Sequence, residues 1–219
     1  MSFLNRVLLA AVLVASFASC KKDEDPEDAP VQPAAPLEVS AFSNLTVGNY
    51  WVYERRQVDS LDVDQGTPVR LDSLYVIGDT LLNGNAFTMI RLGINGLPGG
   101  VRYYWRDSAD CILDLNGYTV FRSSGFDQVF FSDQGAAMAG LVIDYSVSSA
   151  VVPISVPAGN FNTYRVLGQC TSSGTFPVVP EWKYPRAYWN EGTGRVKWYD
   201  YYMAGPLGYR YELVRYHVQ

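Results

Sequence analysis

Asn83-Gly84 lies between two runs of strand-forming residues, 72–82 and 85–92. Asn-Gly is the pair that most readily takes both positive-φ conformations of a type I′ turn, so these runs predict a two-residue hairpin. Similar short runs rich in Tyr, Val, Phe, Thr and Trp recur at 50–54, 101–106, 111–115, 118–121, 128–132, 142–147, 154–156, 161–169, 186–190, 194–202 and 209–218. Branched and aromatic side chains fit a pleated, half-buried surface, and the Gly, Asn, Asp and Pro between the runs fit turns. Beyond the first 19 residues no apolar repeat of three and four marks a helix. One short helix is expected at 133–140, weakened by Gly135 and Gly140. Many short strands without βαβ alternation exclude a parallel sheet. They predict a mainly β fold with little helix: an antiparallel curved sheet, a half-barrel, a barrel or a sandwich.

Two of the runs carry more detail. In 194–202, Val196, Trp198 and Tyr202 fall on one face while Arg195 and Lys197 fall on the other, the alternation of a half-buried strand. In 209–218 the apolar residues Leu213 and Val214 are adjacent, so the buried face switches there. A bulge or a bend in a curved sheet accounts for such a switch. Residues 172–185 hold Gly174, Pro177, Pro180 and Pro185 and read as a loop.

The N-terminal segment has a different character. Residues 1–19 place Arg6 before the apolar stretch 7–14 and end in Ala18-Ser19, directly before Cys20. That apolar stretch is shorter than the ~20 residues needed to span a bilayer, and suits a secretory signal. The order basic, apolar, small, Cys predicts cleavage before Cys20 and lipidation of its thiol, as in bacterial lipoproteins. Residues 20–44 follow with Lys22-Asp23-Glu24 and four prolines among acidic residues, and read as a disordered tether. At about 3.1 Å per residue that tether reaches at most roughly 70 Å. The expected arrangement is a lipid anchor in the outer membrane, facing the periplasm or the cell surface, and one β domain over 45–219. Lys21 in place of Asp after the cysteine agrees with outer-membrane sorting.

Charge and spacing exclude several kinds of chemistry. The chain carries a net charge of −5 with Lys and Arg scattered singly, which opposes nucleic-acid binding. No close Cys or His spacing offers metal ligands, and no Gly-rich loop precedes a helix, so no metal and no cofactor is expected. Asp62-Val63-Asp64-Gln65-Gly66 begins like a calcium loop, but Ser73 stands at its twelfth position. The single histidine, His217, sits two residues from the end, and no Gly-x-Ser-x-Gly elbow exists. Glu54, Glu181, Glu191, Asp200 and Glu212 lie near aromatic residues and could serve a carboxylate-based hydrolase. Cys111 and Cys170 could pair in an oxidising compartment, or remain two buried thiols. Closing that loop would stabilise the fold by about 4 kcal/mol in chain-entropy terms.

Aromatic residues are abundant, with 5 Trp, 16 Tyr and 10 Phe, enough to supply both a core and a binding face. Trp182, Tyr184, Tyr188 and Trp189 are the candidate ligand-binding group, because the Pro-rich loop beside them offers Trp182 and Tyr184 less core to join.

Four segments, in order, carry a resemblance: Val47-Gly48-Asn49-Tyr50-Trp51-Val52-Tyr53-Glu54, then Val76-Ile77-Gly78-Asp79-Thr80 with Asn83-Gly84, then Val156-Pro157-Ala158-Gly159-Asn160-Phe161, then Gly192-Thr193-Gly194-Arg195-Val196-Lys197. The closing Glu212-Leu213-Val214-Arg215-Tyr216-His217 fits as well. Together they resemble uncharacterised lipid-anchored β-domain lipoproteins of Bacteroidota. The resemblance implies a secreted, lipid-anchored β domain and transfers no activity and no site residue. The function expected is non-enzymatic: binding of a glycan or lipid-like ligand, or envelope organisation. The alternatives are a structural or assembly partner of another envelope protein, and a hydrolase.

Overall fold

The computed structural model describes residues 37–66, 69–134, 140–174, 176–202 and 205–219. The signal, Cys20 and the tether up to residue 36 lie outside the described residues, as does most of the helix expected at 133–140. Among the described residues there are one α-helix, α1 (Ser40–Ser43), and twelve strands. The strands are β1 (Tyr50–Val58), β2 (Arg70–Leu82), β3 (Asn85–Ile94), β4 (Leu97–Ser108), β5 (Cys111–Leu113) and β6 (Thr119–Arg122), then β7 (Val129–Asp133), β8 (Leu141–Val156), β9 (Gly159–Ser172), β10 (Arg186–Asn190), β11 (Gly194–Tyr201) and β12 (Gly208–His217).

All pairings are antiparallel, and the spatial order is β6-β5-β4-β3-β2-β1-β12-β11-β10-β9-β8-β7. The first and last strands therefore pair in the middle of the sheet, while its two edges, β6 and β7, are consecutive in the chain. The sheet rolls until those edges face each other: the rings of Tyr118 and Phe131 lie 4.8 Å apart, without a hydrogen-bonded ladder between the strands. The result is a nearly closed antiparallel barrel, one of the antiparallel architectures that the strand-and-turn pattern leaves open.

The turns follow the residues. Asn83 and Gly84 take φ of 52° and 79°, the type I′ geometry. Asn95-Gly96 does the same at 49° and 79°, so β4 starts at Leu97, earlier than the run 101–106 suggests. Tyr53 pairs with Leu213 and Val52 with Arg215, which makes Val214 the extra residue of a bulge. This explains the switch of apolar face in β12. It also leaves the Leu213 carbonyl to accept a hydrogen bond from the Ala158 N–H at the tip of the β8–β9 hairpin, 2.9 Å away.

The alternation expected for 194–202 is corrected by a second bulge. Trp189 pairs with Arg195 and Tyr188 with Lys197, so Val196 is the inserted residue. Arg195 is thereby turned to the same side as Trp189, into the barrel, instead of outward with Lys197.

The interior is packed rather than hollow at one end. Trp51, Tyr53, Ile90, Trp105, Phe121 and Trp189 are buried in one continuous cluster. Helix α1 closes that end: Phe42 is 0% exposed, with its ring centroid 4.6 Å from Phe121 and 5.8 Å from Tyr164. The Ala41 carbonyl accepts from the Gly192 N–H at 2.7 Å, and the Trp51 indole donates to the Thr193 carbonyl at 2.6 Å. The folded domain thus begins upstream of residue 45, a correction to the expected boundary. Four residues of helix inside a Pro-rich acidic stretch carry too few apolar positions to show a period.

The outer wall is polar and holds the β1–β2 loop. Asp62 accepts from the Tyr199 hydroxyl at 2.8 Å and from Arg210 Nη1 at 3.0 Å, and Asp64 accepts from Arg56 Nη1 at 2.6 Å. Glu212 accepts from Lys197 Nζ at 2.8 Å. Of the two states open to Cys111 and Cys170, a possible disulfide or free thiols, the structure has the free thiols. They stand on β5 and β9, strands that are not neighbours in the sheet, and burial raises the pKa of both. Cys170 is instead packed with Leu141, Ile143 and Val179.

Gly208 is required by a close approach. A Cβ there would lie 2.2 Å from Cδ1 of Tyr201 and 2.9 Å from the Asp200 carbonyl oxygen. Tyr201 has little room to yield, because its hydroxyl accepts from Arg186 Nη2 at 3.0 Å and its ring is stacked 5.7 Å from Tyr199. Gly208→Ala should cost about 1–3 kcal/mol, read as a lowered urea midpoint at unchanged slope.

Candidate functional site

Strand β11 runs from Gly194, where a Cβ would sit 3.1 Å from the Phe42 carbonyl oxygen of α1, to Tyr201 at the opposite end of the barrel. The interior opens towards that second end. Trp198 stands at the boundary between the packed core and the opening. Its ring is stacked on Tyr211 at 4.2 Å and 6°, and meets Tyr53 edge-on at 4.6 Å. The Tyr53 hydroxyl donates to the Arg195 carbonyl at 2.7 Å, which fixes the strand that carries Trp198.

Two cavities flank Trp198, and both also touch Asp200. The first is about 320 Å³ and is walled largely by apolar side chains, among them Phe130, Phe131, Tyr145, Val166 and Ala187. The second is about 270 Å³ and is more polar, with Arg55, Arg70, Asp72, Arg102, Tyr103 and Tyr211 in its wall. Each is near the small end of the roughly 300–1,000 Å³ typical of ligand pockets. Burial pushes the phenols of Tyr145 and Tyr211 up to about 12, so both are neutral hydrogen-bonding groups at physiological pH.

The charge of the opening is opposite to that of the chain. Five arginines line the two cavities (Arg55, Arg70, Arg102, Arg186 and Arg195) against three aspartates, Asp72, Asp114 and Asp200. Two of these aspartates are already engaged. Asp72 accepts from Arg70 Nε at 2.5 Å, and Asp114 accepts from the N–H groups of Asn116 and Tyr118 at 2.9 Å each. Arg55 lies over the Tyr209 ring at 4.3 Å.

Arg195 is the most unusual of the five. Its guanidinium carbon is 3.9 Å from the Trp198 ring centroid and 5.8 Å from those of Trp105 and Trp189. Nε and Nη2 are buried without a hydrogen-bond partner. Among the described residues no carboxylate lies within ion-pair distance of it. Aromatic faces attract a cation by about 2 kcal/mol when desolvated, which offsets only part of the several kcal/mol needed to bury it.

The aromatic group singled out in the sequence does not meet on one open face. Trp189 is 2% exposed and belongs to the core. Tyr188, its neighbour in β10, points to the other side of the sheet, beside Lys197. The Tyr184 hydroxyl donates to the Cys170 carbonyl at 3.2 Å, and the Trp182 ring meets Tyr201 edge-on at 5.3 Å. Of the carboxylates considered for hydrolysis, Asp200 alone lines either cavity. Glu54 is tied to Arg56, and Glu212 to Lys197, on the outer wall. His217 is stacked on Tyr50 at 5.9 Å. No group of three or more metal-ligating side chains exists among the described residues.

Trp198 was legible as an inward residue of β11. Arg195, Tyr145 and Tyr211 were not legible as wall residues, because their positions depend on the β11 bulge and on pairings distant in the chain.

No protein-family model matches the chain, and no curated protein does. Two solved structures are similar to it. One, described as a candidate lipoprotein from Parabacteroides distasonis, is 15% identical over 79% of this chain and 96% of its own, with a TM-score of 0.40. The other, a candidate exported protein with a YmcC-like fold from Bacteroides fragilis, is 10% identical over 78% of this chain and 96% of its own, with a TM-score of 0.37.

Proposed function

We propose that this chain is an extracytoplasmic binding protein, anchored to the outer membrane through lipid on Cys20, that takes a small amphipathic ligand into the open end of its barrel. One observation carries the reading: Trp198 is held between two cavities, one mostly apolar and one rich in arginine. A ligand with an apolar body and a polar or charged end matches that pair of surfaces. The apolar wall of the larger cavity favours a lipid-like or aromatic body over a glycan. A role as an assembly partner would instead use the outer wall and leave the cavities idle.

Two measurements test this. Cys20→Ser should move the protein from the membrane fraction to the soluble extracytoplasmic fraction, and abolish incorporation of labelled palmitate. Titration with short-chain amphiphiles should change the tryptophan emission of the native chain, and Trp198→Ala should remove that response while keeping the far-ultraviolet circular dichroism. An unchanged response in Trp198→Ala would place the ligand elsewhere.

A further inference from the structure

We infer that the ligand carries an acidic group, a carboxylate, phosphate or sulfonate, and that this group is received by Arg195 at the floor of the larger cavity. The inference rests on the binding reading above and names the chemistry of its ligand.

A guanidinium withdrawn from water needs an opposite charge or a full set of acceptors. Among the described residues Arg195 lacks an opposite charge within ion-pair distance and a full set of acceptors: the Tyr53 hydroxyl is the polar side chain beside it, two of its nitrogens are buried and unpaired, and three indole rings make up the rest of its surroundings. Those rings hold the group in place and offer no acceptor in its plane. The backbone reinforces this placement, since the bulge at Val196 is what turns Arg195 inward. The fold therefore keeps a half-buried cation in the wall of this cavity with two of its donors unused.

The same guanidinium lines the 320 Å³ cavity, whose other walls are mainly apolar. A cation at the end of an apolar cavity is complementary to an anionic amphiphile, and its planar fork matches two oxygens of an acid. Neither carboxylate of the cavity is within ion-pair distance of Arg195: Asp114 Oδ1 accepts from two backbone N–H groups, and Asp200 is exposed. Arginines outnumber aspartates around the opening, which also draws an anion in from solvent.

A matched pair of fluorescent probes reads the acid separately from the body. 1-Anilinonaphthalene-8-sulfonate and N-phenyl-1-naphthylamine share a ring system and differ by the sulfonate. The native chain should bind the sulfonate about tenfold or more tightly than the neutral probe. Arg195→Met, close in volume, should bring the two affinities together. Arg195→Lys should keep a weakened preference, and Arg215→Met, exposed on β12 and outside both cavities, should leave the preference intact. Dodecanoate should displace the bound sulfonate better than dodecanol does. Equal affinities of the native chain for both probes, both lost in Trp198→Ala, would overturn the acid while leaving the binding reading standing. Loss of the preference in Arg102→Met, in the other cavity, but not in Arg195→Met would overturn the assignment to Arg195. Binding of neither probe would overturn both.

Discussion

Phe42→Ala should lower the stability of the domain by about 3–5 kcal/mol, the range for truncating a fully buried phenylalanine. Its ring is 0% exposed and touches Phe121 and Tyr164, so the cavity left behind is walled by large rings that cannot collapse into it. The loss should appear as a lowered midpoint of urea unfolding with little change of slope. A chain beginning at Leu45 should lose more, because Val39 leaves with Phe42 and Gly192 loses its hydrogen-bond acceptor on Ala41. Unaltered stability in either variant would show that α1 is an appendage to the barrel and does not close it.

The second large effect is expected in base. Burial raises the pKa of Tyr53, Tyr145, Tyr199 and Tyr211, in the case of Tyr145 and Tyr211 to about 12, while an unfolded tyrosine ionises near 10. Between those values the folded chain holds protons that the unfolded chain releases. The stability these phenols contribute is complete below pH 10 and is lost as pH rises towards their folded values. The urea midpoint should therefore fall steeply from pH 10 to pH 12. Absorbance at 295 nm should show an exposed set of tyrosines titrating first and a second set ionising together with unfolding. A single transition near pH 10 that leaves the circular dichroism unchanged would contradict the burial of these rings.

The parts of this fold visible in the sequence are those set by neighbours in the chain. Asn83-Gly84 announces its hairpin because its φ angles are a local property. The adjacent Leu213 and Val214 reveal a bulge because a single strand displays the switch of face. Trp182, Tyr184, Tyr188 and Trp189 are close in sequence, yet strand alternation sends Tyr188 and Trp189 to opposite sides of the sheet. Arg195 looked outward by the same alternation, and one inserted residue reversed it. The two cavities gather side chains from every strand but β5, and many of these strands come near one another only when the sheet rolls. The helix α1 is not legible in the sequence because its burial is tertiary and its four residues have no period to show.

The strand order also has a bearing on how the chain assembles. Every ladder joins strands consecutive in sequence except that between β1 and β12. Loop closure for consecutive hairpins is entropically cheap, whereas β1 and β12 must meet across nearly the whole domain. The barrel is thus two meanders, β1 to β6 and β7 to β12, shut by a single long-range clasp and hinged at residues 123–128. The hinge is also the one place in the ring of strands where the backbone supplies the only continuous link. A protease nick there would leave every hydrogen-bonded ladder intact, so two fragments of this chain should remain together as one barrel.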